Sequence, residues 1–423
     1  MNSLRSNNRP FLTEKLWTAK FITLWQAQLV STFGDAFYNI ALGVWTLAAT
    51  HSTAYMGILL GISSLAGVLV SPFAGVWVDR LNRKRILILM DVIRGICIVL
   101  VALAAFQMVI KIWMVTIAGI VLGVCGAIFR PALNSVIPDL IPEAKIENAT
   151  SAFSIVSSSA NMFGSASGGY LLQLLGAPCL FFINGFSYLF SCLSICFIKI
   201  PTIKKRSTQH FMEDLKSGFQ YIWNFEGLRS SLILVASFNF LSYIAVILFL
   251  PFFQFTNGLG IGKYGLTMGC FMFGAMAGYI LMTILKIPAN SRFMFFILSV
   301  IASNIFLILS VHIRLFILMA LFVLAGGFFN AIINVMLLSI IQISTPQEMR
   351  GKVQSFVSIA SQGLTPIAMA AGGILGRYFS IKLIITLAFF MVIVVTIPFA
   401  FNKRFRTFMS LENQHVTGER AVT

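Results

Sequence analysis

Residues 75–85 read Gly75-Val-Trp-Val-Asp79-Arg80-Leu-Asn82-Arg83-Lys84-Arg85. Five of these eleven residues are charged, against 10% of the whole chain. The charges form a step between two apolar runs, 53–77 and 84–107, each long enough for a helix of about 20 residues to cross a bilayer. Gly75 and Asp79 are four apart and share a helix face. A glycine there lets a neighbouring helix come close, as small residues do in membrane bundles. The carboxylate of Asp79 is then placed to meet a helix N-terminus or a cation. Arg83, Lys84 and Arg85 sit at headgroup level.

The pattern extends along the chain. Its 423 residues are 58% hydrophobic and 13% aromatic. Soluble domains are about 45–50% apolar and about 25% charged, and a single soluble core stops growing near ~250–300 residues. A soluble enzyme and a disordered protein are both excluded. A spanning-length window predicts twelve crossings: 20–48, 53–77, 84–107, 112–131, 149–173, 178–199, 229–255, 264–286, 292–312, 314–338, 351–376 and 380–401. The ninth and tenth are parted only by Val311-His312-Ile313-Arg314. All are expected to be helices, because backbone in lipid must satisfy its own hydrogen bonds. The first apolar run is too long for a signal-peptide core and lacks a clear cleavage site, so it is expected to be retained.

Lys and Arg number 30 against 13 Asp and Glu, a net charge of +17. With twelve crossings both tails share one side. The tails and the even-numbered connections hold 23 of the cations, the odd connections five, and Arg94 and Arg130 lie within spans. The positive-inside rule then places both termini in the cytoplasm and the chain in the cytoplasmic membrane. The excess charge is a topology signal, and no nucleic-acid partner is implied.

The longest polar interruption, 200–228, divides the chain into an N-terminal half (1–199) and a C-terminal half (229–423). Phe211, Leu215, Phe219 and Ile222 recur at helical spacing within it, as in an interfacial linker helix. A repeat joins the halves at an offset of 204. Gly168-Gly169 falls on Gly372-Gly373, Pro142 on Pro346, and Ser151, Ser154, Ser158 and Asn161 on Ser355, Ser358, Gln362 and Thr365. Six spans per half give both copies the same orientation, the parallel arrangement in which substrate sits between halves near the midplane.

The 75–85 string resembles the motif between helices two and three of the major facilitator superfamily, with Asn82 in place of its second glycine. Asn also tolerates a left-handed turn. The resemblance implies an all-α membrane fold of twelve helices, a secondary transporter rather than an enzyme, and a gating motif of Gly75, Asp79, Arg80, Arg83 and Lys84. In that family the acidic residue engages helix eleven, so Asp79 is expected to face its start, near Gly351. The strings Phe129-Arg-Pro-Ala-Leu-Asn-Ser-Val-Ile-Pro-Asp139 and Pro346-Gln-Glu-Met-Arg350-Gly351 are similar to the macrolide-efflux branch of bacterial drug exporters. That branch also holds siderophore exporters and lysophospholipid transporters. Ala160-Asn-Met-Phe-Gly164-Ser165-Ala-Ser-Gly168-Gly169 is similar to the antiporter motif, without its first glycine and its proline.

Ionisable residues inside a membrane are costly and point to function. Asp35 lies fifteen residues into the first span, about 22 Å deep at ~1.5 Å per residue. It is the leading residue for proton coupling or for meeting a cationic substrate. Asp91, Arg94, Arg130 and Asp139 read as one cytoplasmic charge network. Gln28, Ser31, Asp35 and Asn39 share one stripe of the first span. With Tyr38, Asn161, Asn239, Tyr243, Asn330, Asn334 and Gln362 they are candidates to line an amphipathic pocket, the alternative for each being helix–helix hydrogen bonding. The six cysteines and four histidines show no metal spacing. No cofactor is expected. The expected partners are the bilayer, a small amphipathic substrate and protons, with the chain acting as a monomer. A non-transporting receptor or scaffold is the rival of another class.

Overall fold

A computed structural model describes residues 16–141, 145–199, 211–285, 287–346 and 349–410, and the side chains of Val76, Asp79, Arg80, Glu147 and residues 211–215 lie outside the described residues. Pro142 and the linker positions 200–210 likewise fall outside it. Every described element is helical. In chain order they are α1 (Ala19–Thr50), α2 (Thr53–Arg80), α3 (Arg83–Phe106), α4 (Ile112–Leu140), α5 (Ile146–Ser159), a π-helical turn (Ala160–Gly164) and α6 (Ser165–Cys196). There follow α7 (Phe211–Asn224), α8 (Glu226–Phe255), α9 (Ile261–Ile284), α10 (Ala289–Ser310), α11 (Phe316–Ile343), α12 (Arg350–Gln362), α13 (Thr365–Tyr378), α14 (Ile381–Phe401) and α15 (Lys403–Met409).

Local chemistry sets several of these ends. Thr18 caps α1 by accepting from the Phe21 N–H at 3.3 Å. Asn82 caps α3 by accepting from the Arg85 N–H at 3.2 Å, with φ −70 and ψ 111. Asn82 therefore stands at the glycine position as an extended N-cap and not as a left-handed turn residue, because its side chain satisfies a free helix N–H. The short step after Ser310 does separate α10 from α11.

Ten helical runs among the described residues are long and apolar enough to cross a bilayer. Twelve were expected, and the two missing have physical reasons. In α1, Gln26, Gln28, Asp35 and Asn39 dilute an otherwise apolar helix. Asn148–Cys196 forms one run of 49 residues where two spans were expected. At ~1.5 Å per residue a straight helix of that length would reach about 73 Å, more than twice a ~30 Å hydrocarbon core. It is broken at Gly176, whose φ of 76 and ψ of 166 are not helical, two residues before Pro178. Only glycine adopts that conformation cheaply.

Close helix packing recurs at the offset of 204. A Cβ added at Gly168 would meet Ile40 of α1, and one at Gly372 would meet Ile244 of α8. Gly123 of α4 lies against Gly67 of α2, and Gly327 of α11 lies against Phe271 of α9. Gly169 of α6 abuts Ile261 of α9, and Gly373 of α13 abuts Gly57 of α2. In each pairing both members shift by 204, so the sequence repeat is also a repeat of contacts.

The last of these pairings closes one end of the bundle. There α2 packs on α13, and the Thr53 hydroxyl donates to the Gly373 carbonyl at 2.8 Å. Beside it, α6 packs on α9, with Gly265 against the Ser165 carbonyl. The opposite end, which carries α7, is open. An added Cβ at Gly75 or at Gly351 would find nothing within 4 Å, and Phe73 and Trp77 are exposed. The close approach expected at Gly75 is thus absent in this state, because the helices of this face diverge from the contacts at Gly57.

Candidate functional site

Asp35 sits midway along α1, one residue beyond Gly34. Gly34 packs against Asn184 and Ser187 of α6 so tightly that a Cβ there would fall 2.6 Å from the Asn184 side-chain oxygen. That approach brings the Tyr188 hydroxyl onto Asp35, to which it donates a hydrogen bond. The Tyr188 ring is 2% exposed and lies under the Arg94 guanidinium, 4.4 Å from its centroid. On its other side Arg94 covers the Phe129 ring of α4 at 4.3 Å. Arg94 also pairs with Asp91 one turn earlier on α3, and Asp91 is fully buried. The order is therefore carboxylate, phenol, guanidinium, carboxylate, assembled from α1, α6 and α3.

Charges this far from water persist only when paired and hydrogen-bonded. Here the pairing is incomplete. Gln28 Nε2, Asp91 Oδ2, Arg94 Nε, Asn184 Nδ2 and Ser191 Oγ are buried without a hydrogen-bond partner. Four of these, on Asp91, Arg94, Asn184 and Ser191, belong to the stretches of α3 and α6 beside the Asp35 contact, a place where water, a proton or a substrate group completes the network. The π-helical turn Ala160–Gly164 lies against the same helix, with Gly164 packed on Ala36. Such turns interrupt regular helix pairing and often accompany functional sites.

The expected single charge network divides into two. Asp91 and Arg94 belong to the Asp35 cluster, whereas Asp139 pairs with Arg83 at the end of α4. Arg83 also donates to the Ser135 carbonyl at 3.1 Å. The reason is geometric: Arg94 lies about three turns beyond Arg83 along α3, at ~3.6 residues per turn, so one helix delivers its two cations to different depths. Arg130 is exposed. Of the motif residues, Lys84 donates to the Cys196 carbonyl at 2.7 Å. The side chains of Asp79 and Arg80 lie outside the described residues.

The pocket candidates separate by exposure. Tyr38 is a core residue, 3% exposed and 5.4 Å from the Phe181 ring, because the turn of α1 that points Asp35 at α6 carries Tyr38 into the same contact. Asn39, Asn161, Asn334 and Gln362 are exposed, while Gln28, Asn239, Tyr243 and Asn330 are half-buried. The amides of Asn161, Asn239 and Asn334 donate to carbonyls of their own helices, four residues back, at 2.8–2.9 Å. They do not bridge helices in these bonds. Trp25, by contrast, ties α1 to α5 through the Ala152 carbonyl at 3.1 Å.

Asn184, Tyr188 and Ser191 escaped the sequence reading. A signal for them exists: Asn184, Ser187, Tyr188 and Ser191 fall at i, i+3, i+4 and i+7, a polar stripe inside the run 178–199. The link from Arg94 to Asp35 carries no such signal, since their helices are joined only in space.

The described helices, ten runs of them long and apolar enough to cross a bilayer, define a polytopic membrane protein. Residues 24–369 match the family model described as Major Facilitator Superfamily, and the chain belongs to that family. It is 24% identical over 386 residues to an uncharacterized MFS-type transporter, YfiS, of Bacillus subtilis strain 168, covering 86% of this chain and 88% of that protein. It is also 24% identical over 233 residues to macrolide efflux protein A of Streptococcus pyogenes, covering 54% of this chain and 57% of the relative. Among solved structures it resembles a bacterial homologue of the iron transporter ferroportin in an inward-facing state. The TM-score is 0.69 at 14% identity, over 92% of this chain and 100% of that one. That likeness concerns the fold. The chain is a transporter and not an enzyme.

Proposed function

We propose that the protein exports an amphipathic, drug-like compound across the cell membrane by alternating access, driven by proton influx through Asp35. In this reading the chain crosses the membrane twelve times in two parallel halves, with both termini and the open end in the cytoplasm. The cation distribution and the contacts repeated at the offset of 204 support that layout. The partial identity to a macrolide efflux protein supports export, and the exposed amides of Asn39, Asn161, Asn334 and Gln362 on apolar helices support an amphipathic substrate. The observation that carries the coupling is the Tyr188 bond to Asp35 beside the incompletely satisfied Arg94–Asp91 pair.

A proton on Asp35 removes its charge and weakens the hydrogen bond it accepts from Tyr188. The field felt by Arg94 changes with it. Protonation is in this way linked to the packing of α1 on α6, where Gly34 leaves little slack. The experiment is transport into inside-out vesicles energised by a proton gradient, with susceptibility of a pump-deficient host used to find the compound. Asp35→Asn is expected to abolish gradient-driven uptake while leaving passive exchange intact. Full gradient-driven uptake by that variant would remove Asp35 from the mechanism.

A further inference from the structure

Asp35 and Asp91 are both tied to one buried cation. Arg94 pairs with Asp91 and lies over the ring of Tyr188, whose hydroxyl donates to Asp35. Asp91 is fully buried, Arg94 is 6% exposed and Asp35 is half-buried. The other titratable or charged groups turned toward them are Tyr38 of α1, Cys97 of α3, Cys125 and the exposed Arg130 of α4, and Tyr188 and Cys192 of α6. Thiols and phenols are uncharged near neutral pH, and the charge of an exposed guanidinium is screened by water and salt. The buried balance is therefore two carboxyl groups against one guanidinium. With both carboxyls ionised one negative charge is left over, and with both protonated one positive charge is left over, each costly away from water. With a single proton the cluster is neutral.

Packing alone does not demand these groups. At the offset of 204, Asp91, Arg94, Asn184 and Tyr188 fall on Phe295, Leu298, Ala388 and Val392. There α8 and α10 pack on α14 as α1 and α3 pack on α6, with apolar side chains in those places. In the N-terminal half, atoms without a hydrogen-bond partner among the described residues adjoin both carboxyls, Asn184 Nδ2 on the side of Asp35 and Ser191 Oγ on the side of Asp91. Asp91 Oδ2 and Arg94 Nε are unpartnered as well. Buried donors and acceptors mixed in this way suit water, which can both give and take a hydrogen bond.

We propose that Asp91 is a second proton-holding residue, which shares one proton with Asp35 across Arg94. The inference rests on the reading of Asp35 as the coupling residue. In the exchange a proton leaves a carboxyl oxygen of Asp35 for an internal water, and that water gives up a proton to form an O–H bond at Asp91 Oδ2. Asp35 becomes a carboxylate as Asp91 ceases to be one, so the net charge is unchanged and Arg94 compensates it in either state. The proton can thus leave the half-buried carboxyl for the fully buried one without leaving the protein.

The test is infrared difference spectroscopy of the purified full-length protein in uncharged detergent at neutral pH, each variant against the wild type, in H2O and D2O. A protonated carboxyl is read from its C=O stretch, which moves on deuteration. Asp35→Asn and Asp91→Asn should each lose one such band, since either variant leaves one carboxylate for one guanidinium. Arg94→Gln, which removes the cation and keeps both carboxyls, should double the band. Asp139→Asn, whose carboxylate pairs with Arg83 elsewhere, should leave it unchanged. A band that survives in Asp91→Asn puts the proton on Asp35 alone, and one that survives in Asp35→Asn puts it on Asp91 alone; either result overturns the proposal. So does an Arg94→Gln spectrum with no added band, which keeps the test open if an aspartate variant does not fold. The spectra use neither substrate nor gradient, so their failure is separate from that of the transport test on Asp35→Asn.

Discussion

The contact between Gly57 and Gly373 puts a number on how firmly one end of the transporter is shut. A Cβ added at Gly57 would lie 2.8 Å from the Gly373 Cα and would also press on the Met369 carbonyl oxygen. Both obstacles are backbone, so no rotamer change relieves them and α2 must move off α13. Overpacking of this kind costs about 1–3 kcal/mol. The gain in helix propensity from Gly57→Ala is present in every state and drops out of their ratio. The ratio of open to closed at this end should therefore rise about 5- to 150-fold. Gly75→Ala makes the opposite comparison. Nothing lies within 4 Å of its added Cβ here, so the cost falls only on a state in which the linker end closes. The assay is electron–electron double resonance between spin labels at Lys111 and Arg314, in the connections α3–α4 and α10–α11, in a background without the six native cysteines. Gly57→Ala should add a longer-distance population, and Gly75→Ala should not. An unchanged distance distribution for Gly57→Ala would refute the reasoning.

Two further outcomes follow from buried contacts. Arg94→Met leaves the fully buried Asp91 without its partner and should destabilise the protein by about 3–5 kcal/mol. The double variant with Asp91→Asn should recover much of that loss, and equal melting of single and double variants in detergent would contradict the pairing. Gly218→Val places side-chain carbon against Lys352 and Phe356, each 3.1 Å from the glycine's added Cβ. The polar links that hold α7 in place include, among the described residues, Lys352 Nζ donating to Ser217 Oγ at 2.8 Å, the Tyr221 hydroxyl donating to the Ser344 carbonyl at 3.3 Å and the Arg229 guanidinium donating to the Trp223 carbonyl at 3.3 Å. Lifting α7 should speed proteolysis within the 200–228 segment while leaving the spans intact, and unchanged protection would show that α7 is held elsewhere.

Much of the fold was legible because the bilayer imposes a length and a composition on each helix. The boundary at 310–316 and the amphipathic segment inside 200–228 followed from this alone. The boundary expected between 173 and 178 falls at the kink of the run 148–196, where Gly176 and Pro178 interrupt the helix without interrupting its hydropathy. The first helix is a long helix whose polar stripe lowers its hydropathy, and that stripe includes the residue most charged with consequence, Asp35. Asn82 was recognised as a substitution but assigned the wrong backbone conformation, since capping and left-handed turns draw on the same residue types.

The chemistry of the site divides in the same way. Composition, cation placement and the 75–85 string carried the class, because hydropathy and charge act through the solvent and can be summed residue by residue. Which side chains meet is a different matter. Tyr188 reaches Asp35 across 153 positions of sequence, Arg94 turns toward that pair and away from Asp139, and Gly57 finds Gly373 at one end while Gly75 finds nothing at the other. Each depends on how closely two helices approach at one level of the bundle. That distance is a property of the packed assembly and of the state it occupies.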